Sequence, residues 1–184
     1  MIPTFARRDL ERFLREVDRS LDRPTRVVVI GGTAATLRHG ATRATQDIDT
    51  VTNVSASLLK AVLEAQAKTG LRIPIQRVTI ADEPENYELR LQRAMPRLTR
   101  LRVMVPERHD LVLMKATRAY DHDLQVIAEI HANSPLDLDT LVTRFVEEMT
   151  PIGPERRIRQ NFLLVVERLF PNDVDEVERR LKGR

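Results

Sequence analysis

The sequence has no cysteine. Disulfides, cysteine metal sites and thiol nucleophiles are therefore excluded, and a reducing cytoplasm is permitted. Nowhere do 18 apolar residues run together, so no membrane-spanning helix is expected. The opening stretch "MIPTFARRDLERFLREVDRS" carries a charge every few residues and has no apolar signal core. Together these absences lead to the expectation of a soluble, cytoplasmic protein. Lysine is scarce: Lys60, Lys68, Lys115 and Lys182 are the four lysines among 30 basic residues. The one glycine pair, Gly31-Gly32 in "GGTAAT", fits neither G-x-G-x-x-G nor G-x-x-x-x-G-K-[ST], so the dinucleotide and P-loop fingerprints are missing. There is no internal repeat and no low-complexity tract.

What remains is a chain of 184 residues, 42% hydrophobic and 31% charged, enough for a sizeable core and too apolar for global disorder. The net charge is +3 and the pI about 9.7. The basic residues are mostly arginine, whose planar fork pairs with phosphate through two parallel hydrogen bonds. Such a composition allows a nucleic-acid partner, although the 27 acids are nearly as numerous and favour the plainer reading of biased codon usage with most arginines on solvated helix faces.

Hydrophobic spacing divides the chain into two halves. Leu10, Phe13, Leu14, Val17 and Leu21 form the stripe of an amphipathic helix over 5–21. "RVVVI" at 26–30 is short, apolar and β-branched, which predicts a buried strand. Residues 33–39 read as a helix stopped by Gly40, "QDIDTVT" as a second strand, and 55–69 as a helix capped by Ser55 or Asn53 and closed by Gly70. "RIPIQRVTI", "YELRLQR" and "LRVMV" are three further strand candidates, the second with Tyr87, Leu89 and Leu91 toward the core. After Pro106 the pattern is helical throughout, at 107–119, 122–132, 137–149, 155–170 and 173–182, punctuated by Pro135, Pro151, Pro154 and Pro171.

A strand ending in Gly31-Gly32 before a helix leaves room for a phosphate, and backbone N–H groups at a helix start favour anions. The Thr33 hydroxyl is a further candidate donor. Taken alone, the same residues also make an ordinary tight turn. Asp47 and Asp49 sharpen the reading. In a strand they share one face, roughly 6.5 Å apart at about 3.3 Å per residue, while Ile48 faces the core. Two such carboxylates repel unless a cation lies between them, and Mg²⁺ takes one or two carboxylates together with substrate phosphates. The bland counterpart is a pair of solvated acids on an exposed edge. His39, His109, His122 and His131 show no ligand spacing with these acids. Arg97, Arg100 and Arg102 either face an RNA acceptor or lie on a solvated strand edge.

Taken together, the stretch from Val27 to Val51 resembles the core motif of the nucleotidyltransferase superfamily: strand, glycine pair, helix, then D-x-D on the next strand. It is most similar to the minimal bacterial group that includes the AbiEii-type abortive-infection toxins. In that group an R-x-T-x-D-I-D segment follows the glycines, matched here by Arg43, Thr45, Asp47, Ile48 and Asp49. "HDLVLMKATRAYDHDLQVI" is similar to the group's later motif through Asp110, Leu111, Lys115 and Asp123. "NYELRLQ" and "RLFP" resemble other parts of an uncharacterised branch. Two departures stand out. Val126 occupies a place where the later motif often has a second acid. The third acid usual on a neighbouring strand has no clean match, Asp82 and Glu88 being the candidates.

The resemblance implies an α+β fold: a small mixed sheet with flanking helices over 1–106, followed by a helical region over 107–184. It implies transfer of NMP from an NTP to a hydroxyl of RNA (tRNA) or protein, with Mg²⁺ or Mn²⁺ held by Asp47 and Asp49. Gly31, Gly32 and Thr33 would cradle the triphosphate. Lys115 would neutralise charge on the phosphates, with Asp123 holding its ammonium or contacting the acceptor; unaided by the resemblance, Lys115 reads as a surface lysine paired with Glu107, Asp110 or Asp121. A cognate antitoxin is the implied partner. Two other readings stand beside this one: a catalytically reduced module of the same fold that binds nucleotide, RNA or a partner protein, and small-molecule transfer as in antibiotic-modifying relatives.

Overall fold

A computed structural model describes residues 3–79, 82–149 and 156–182. The expected strand end at Ile80, the helix start at residue 155 and the punctuation at Pro151 and Pro154 lie outside these residues. The fold is a mixed α+β fold, with eight α-helices and two small sheets among the described residues. Two compact units are present: Met1–Ile80 with Leu91–Pro106, and Ala81–Arg90 with Glu107–Arg184.

The first unit is built on helix α1 (Arg7–Ser20), whose stripe Leu10, Phe13, Leu14 and Val17 is fully buried. Each such side chain removed from water contributes roughly 1.5–3 kcal/mol. It packs against helix α3 (Ala56–Thr69), opened by the Ser55 hydroxyl, which accepts from Leu58 N at 3.2 Å, and followed by Gly70. Strand β1 (Thr25–Val28) pairs in parallel with β5 (Leu101–Val105), and β4 (Gln92–Ala94) runs antiparallel to β5. Between β1 and β2 (Ile48–Thr50) lies helix α2 (Gly31–Arg38). β2 pairs in parallel with β3 (Ile75–Arg77), with Asp49 opposite Gln76. A bridge between Val29 and Thr50 joins the end of β1 to β2, reinforced by Val51 N to Val28 O at 3.1 Å and Thr50 Oγ1 to Val28 O at 2.8 Å. The two expected core strands are thus neighbours. One buried acid ties α1 to β5: the Asp18 carboxylate accepts from the backbone N–H of Thr99, Arg100 and Leu101 at 3.0, 2.7 and 2.6 Å.

The second unit holds helices α4 (Arg108–Ala116), α5 (Asp121–Asn133), α6 (Leu138–Glu148), α7 (Arg156–Leu169) and α8 (Val174–Lys182). Phe145 and Phe162 stack at 4.1 Å between α6 and α7. "YELRLQR" departs from the strand reading. Tyr87–Arg90 is a 3₁₀ turn, and β4 begins only at Gln92. In a 3₁₀ turn residues i and i+3 eclipse, so Tyr87 and Arg90 share a side. Tyr87 is buried, while Leu89 is 86% exposed instead of core-facing. Arg90 forks onto Asp110 at 2.9 Å through both Nε and Nη2, and reaches Glu148 at 2.6 Å. A strand would have sent Arg90 away from Tyr87's side and forfeited this buried pairing.

Candidate active site

The glycine turn and the acids meet in the first unit. Gly31 adopts φ +66°, a left-handed conformation that L side chains rarely adopt. A Cβ there would lie 3.3 Å from Asp49 Oδ2, so the missing side chain is what lets the turn come up against the carboxylate. A Cβ on Gly32 would sit 3.3 Å from Thr45 Oγ1. No side chain caps α2 and no acid stands in its first turn. Its leading N–H groups lack intrahelical acceptors, as at any helix start, and carry partial positive charge. The Thr33 hydroxyl is turned inward: it is buried and donates to the Asp47 carbonyl at 2.7 Å, where Thr45 Oγ1 also donates at 3.2 Å. In this structure Thr33 therefore positions the Asp47 backbone, and its hydroxyl is already engaged.

Asp47 precedes β2 in a bend, while Asp49 lies within the strand. Their carboxylates nevertheless converge. One amide group, Gln76 Nε2, donates to Asp47 Oδ2 at 3.0 Å and to Asp49 Oδ1 at 3.1 Å. A single partly positive NH₂ thus occupies the point between two acids where a cation would sit. Burial first, and the Asp49 charge second, push the Asp47 carboxyl above the usual carboxylate range. The donor set is hard oxygen and the charge is unrelieved, which fits Mg²⁺ or Mn²⁺ better than a softer metal. Among the described residues no group of three or more acids, histidines or cysteines could hold a metal. Asp82 and Glu88 both belong to the second unit, Asp82 in a loop and Glu88 in the 3₁₀ turn. The residue of β3 that faces Asp49 is Gln76. Sequence reasoning passed over Gln76, because its role follows from strand register rather than from any motif.

Lys115 and Asp123 are brought together in the second unit. Lys115 sits in the last turn of α4 and Asp123 in the first turn of α5, and Nζ meets Oδ1 at 2.8 Å with both side chains buried. Asp123 Oδ2 is buried without a hydrogen-bond partner, although His122 Nε2 stands 3.7 Å away and Arg118 approaches Oδ1 at 3.4 Å. Lys115 is therefore no surface lysine, and Glu107 and Asp110 have other partners. Val126 is buried in the core. Three of the four histidines do structural work: His39 Nε2 contacts the Pro106 carbonyl, His109 links Glu107 to Asp137 N, and His131 packs edge-on against Phe170.

The glycine turn thus stands against two converging carboxylates at the β2–β3 pair of a mixed α+β fold. Residues 8–175 match the model of the family described as nucleotidyltransferase of unknown function (DUF6036), and the chain belongs to that family. No curated protein and no solved structure matches the chain. No helix among the described residues is long and apolar enough to cross a membrane.

Proposed function

We propose that the protein moves NMP from an NTP to a hydroxyl of an RNA, tRNA among them, or of a protein, and that it acts as the toxin of an AbiEii-like pair held in check by a cognate antitoxin. The observation that carries the transferase reading is the single Gln76 NH₂ bracketed by Asp47 and Asp49 beside the glycine turn. Asp47 and Asp49 would hold Mg²⁺ or Mn²⁺, which when bound offsets negative charge on the reacting phosphates. The leading N–H groups of α2, from Gly31, Gly32 and Thr33, would take triphosphate oxygens. Gln76 would give way, its amide turning toward solvent or ribose. The acceptor oxygen bonds to the α-phosphorus, the bond from that phosphorus to the bridging oxygen breaks, and pyrophosphate leaves. The hydroxyl proton passes to one of the two carboxylates. Lys115, oriented by Asp123, enters the proposal as the charge that meets the departing pyrophosphate, a role tested by kinetics alone.

The direct test is incubation with each labelled NTP, Mg²⁺ and total RNA or lysate, with Asp47→Ala and Asp49→Ala as controls. Label in one fraction, lost in both variants, is expected. Labelling that survives either substitution overturns the assignment of the acids. Lys115→Arg keeps the charge and should lower turnover with NTP affinity nearly unchanged. Lys115→Ala is a poorer probe, because it strands the buried Asp123 charge at about 3–5 kcal/mol. A second reading, a reduced module that binds nucleotide without transfer, is favoured by a neutral Gln76 facing Asp49 where a third acid would complete a two-metal site. Protein freed of any antitoxin-like partner that binds Mg²⁺ and NTP yet labels nothing would select that reading.

A further inference from the structure

A concavity of the first unit is lined by residues other than the two acids. It encloses about 850 Å³ between α1, the C-terminal end of α2 and the segment from β4 into the turn that follows it. Six arginines line it: Arg7, Arg15, Arg19, Arg38, Arg93 and Arg97. Arg19 is paired with Glu16 at 3.1 Å, and two acids line the groove, Glu11 and Asp18. Neither acid is available to neutralise the far wall. Glu11 is shared by Arg7 and Arg15, at 2.9 Å each. Asp18 is buried under the backbone N–H groups of Thr99, Arg100 and Leu101. Arg93 donates to the Leu98 carbonyl at 2.6 Å, which braces the turn. Arg38 and Arg97 are exposed and form no ion pair or hydrogen bond within the described protein.

The cations are arranged as a track. Arg7, Arg15 and Arg19 recur at multiples of four along α1, on a ridge that drifts about 40° per step of four and covers roughly 18 Å of the axis. The opposite wall is fixed in place: the turn after β4 passes through Met95 at φ +53° and is pinned from below by Asp18. The remaining lining is aliphatic, Leu37, Ala94, Met95, Pro96 and Leu98, with no aromatic ring on which a base could stack. Helix α2 joins this groove to the acids: it starts at the glycine turn and ends at Arg38, about 10 Å along its axis.

We infer that this arginine groove is a docking site for the sugar–phosphate backbone of RNA, read by charge and spacing and not by base. Several forked cations on rigid walls suit a row of phosphodiesters better than one small anion. The inference deepens the transferase reading, on which it rests for RNA as the acceptor; the groove holds the backbone while α2 carries the reach to the site.

The experiment is fluorescence anisotropy of labelled bulk tRNA with the full chain, without nucleotide, across a KCl series. Wild type should bind with a steep salt dependence. The double variant Arg38→Glu/Arg97→Glu should bind at least about tenfold more weakly, with a log–log salt slope shallower by about 1.4, the loss of two contacts to a flexible strand. Both positions are exposed and unpaired, so folding should hold; Arg38→Gln/Arg97→Gln, with a smaller loss in the same direction, guards against a charge-reversal artefact. Arg72→Glu, an exposed site outside the groove, should stay within about twofold of wild type. Groove-dependent binding with no NMP transfer by any protein keeps the groove and discards the transferase reading. RNA labelling that persists in the double variant with unchanged KM discards the groove and keeps that reading. Equal binding by wild type and the double variant, or competition by polyglutamate as effective as by tRNA, also overturns the inference, the latter because it indicates an acidic protein partner.

Discussion

At Gly31 two constraints coincide, a left-handed φ of +66° and a carboxylate oxygen 3.3 Å from where a methyl would stand. Gly31→Ala is therefore expected to lower stability by about 1–2 kcal/mol, a fall of roughly 2–8 °C in Tm for a chain of this size, and to displace Asp49. Calorimetry with and without Mg²⁺ and NTP would read both effects; an unchanged melt would mean the turn relaxes freely. Asp47 behaves in the opposite sense. Its folded pKa is raised above 3.8, by burial and then by Asp49. Its contribution to stability is thus complete below the ordinary carboxylate value and declines as pH rises through the raised one. Asp47→Asn should accordingly melt higher than wild type at pH 7, with the advantage vanishing in acid near pH 3.8. A variant that melts lower at pH 7 would make the acid structural.

The elements show which parts of this arrangement were legible beforehand. The α1 stripe, the Ser55 cap and the proline-spaced helices could be read locally, because a helix's burial repeats within its own sequence. The alternation in "YELRLQR" misled, since Arg90 answers to Asp110 and Glu148, 20 and 58 residues away. Gln76 was invisible for the same reason: its bond to Asp49 spans 27 residues and depends on β2–β3 register. Thr33 was legible as a hydroxyl donor beside the glycines, but not in its direction, toward the Asp47 carbonyl. The N-terminus of α4 yields a pH prediction. Glu107 caps it, and although burial opposes ionisation, His109 and then Arg144 hold its pKa down at about 2. The stability it gives is present above its unfolded value of 4.5 and is lost as pH falls toward about 2. Glu107→Gln should flatten the melting-temperature profile across that window; a profile parallel to wild type would place the acid sensitivity elsewhere.

Taken whole, the chain is interleaved. It passes between its two units near residues 80, 90 and 106, so the segment before Leu91 belongs to the unit that resumes at Glu107. One of these crossings follows Pro106, and a fragment of residues 1–106 would retain Tyr87 and Arg90 without Asp110 or Glu148. Limited proteolysis should cut that fragment between residues 82 and 90 well before it cuts the full chain there; equal protection in both would show that the 3₁₀ turn needs no partner. The parallel pairing of β1 with β5 has a consequence on the ribosome. Thr25 must wait for Leu101, some 75 residues downstream, before the edge of β1 is covered. At about 5–20 residues per second, synthesis leaves Val27 and Val28 without that neighbour for roughly 4–15 s. During that interval the nascent chain presents an unpaired apolar edge to whatever lies near the exit tunnel, and the glycine turn that follows it has no finished sheet to stand on.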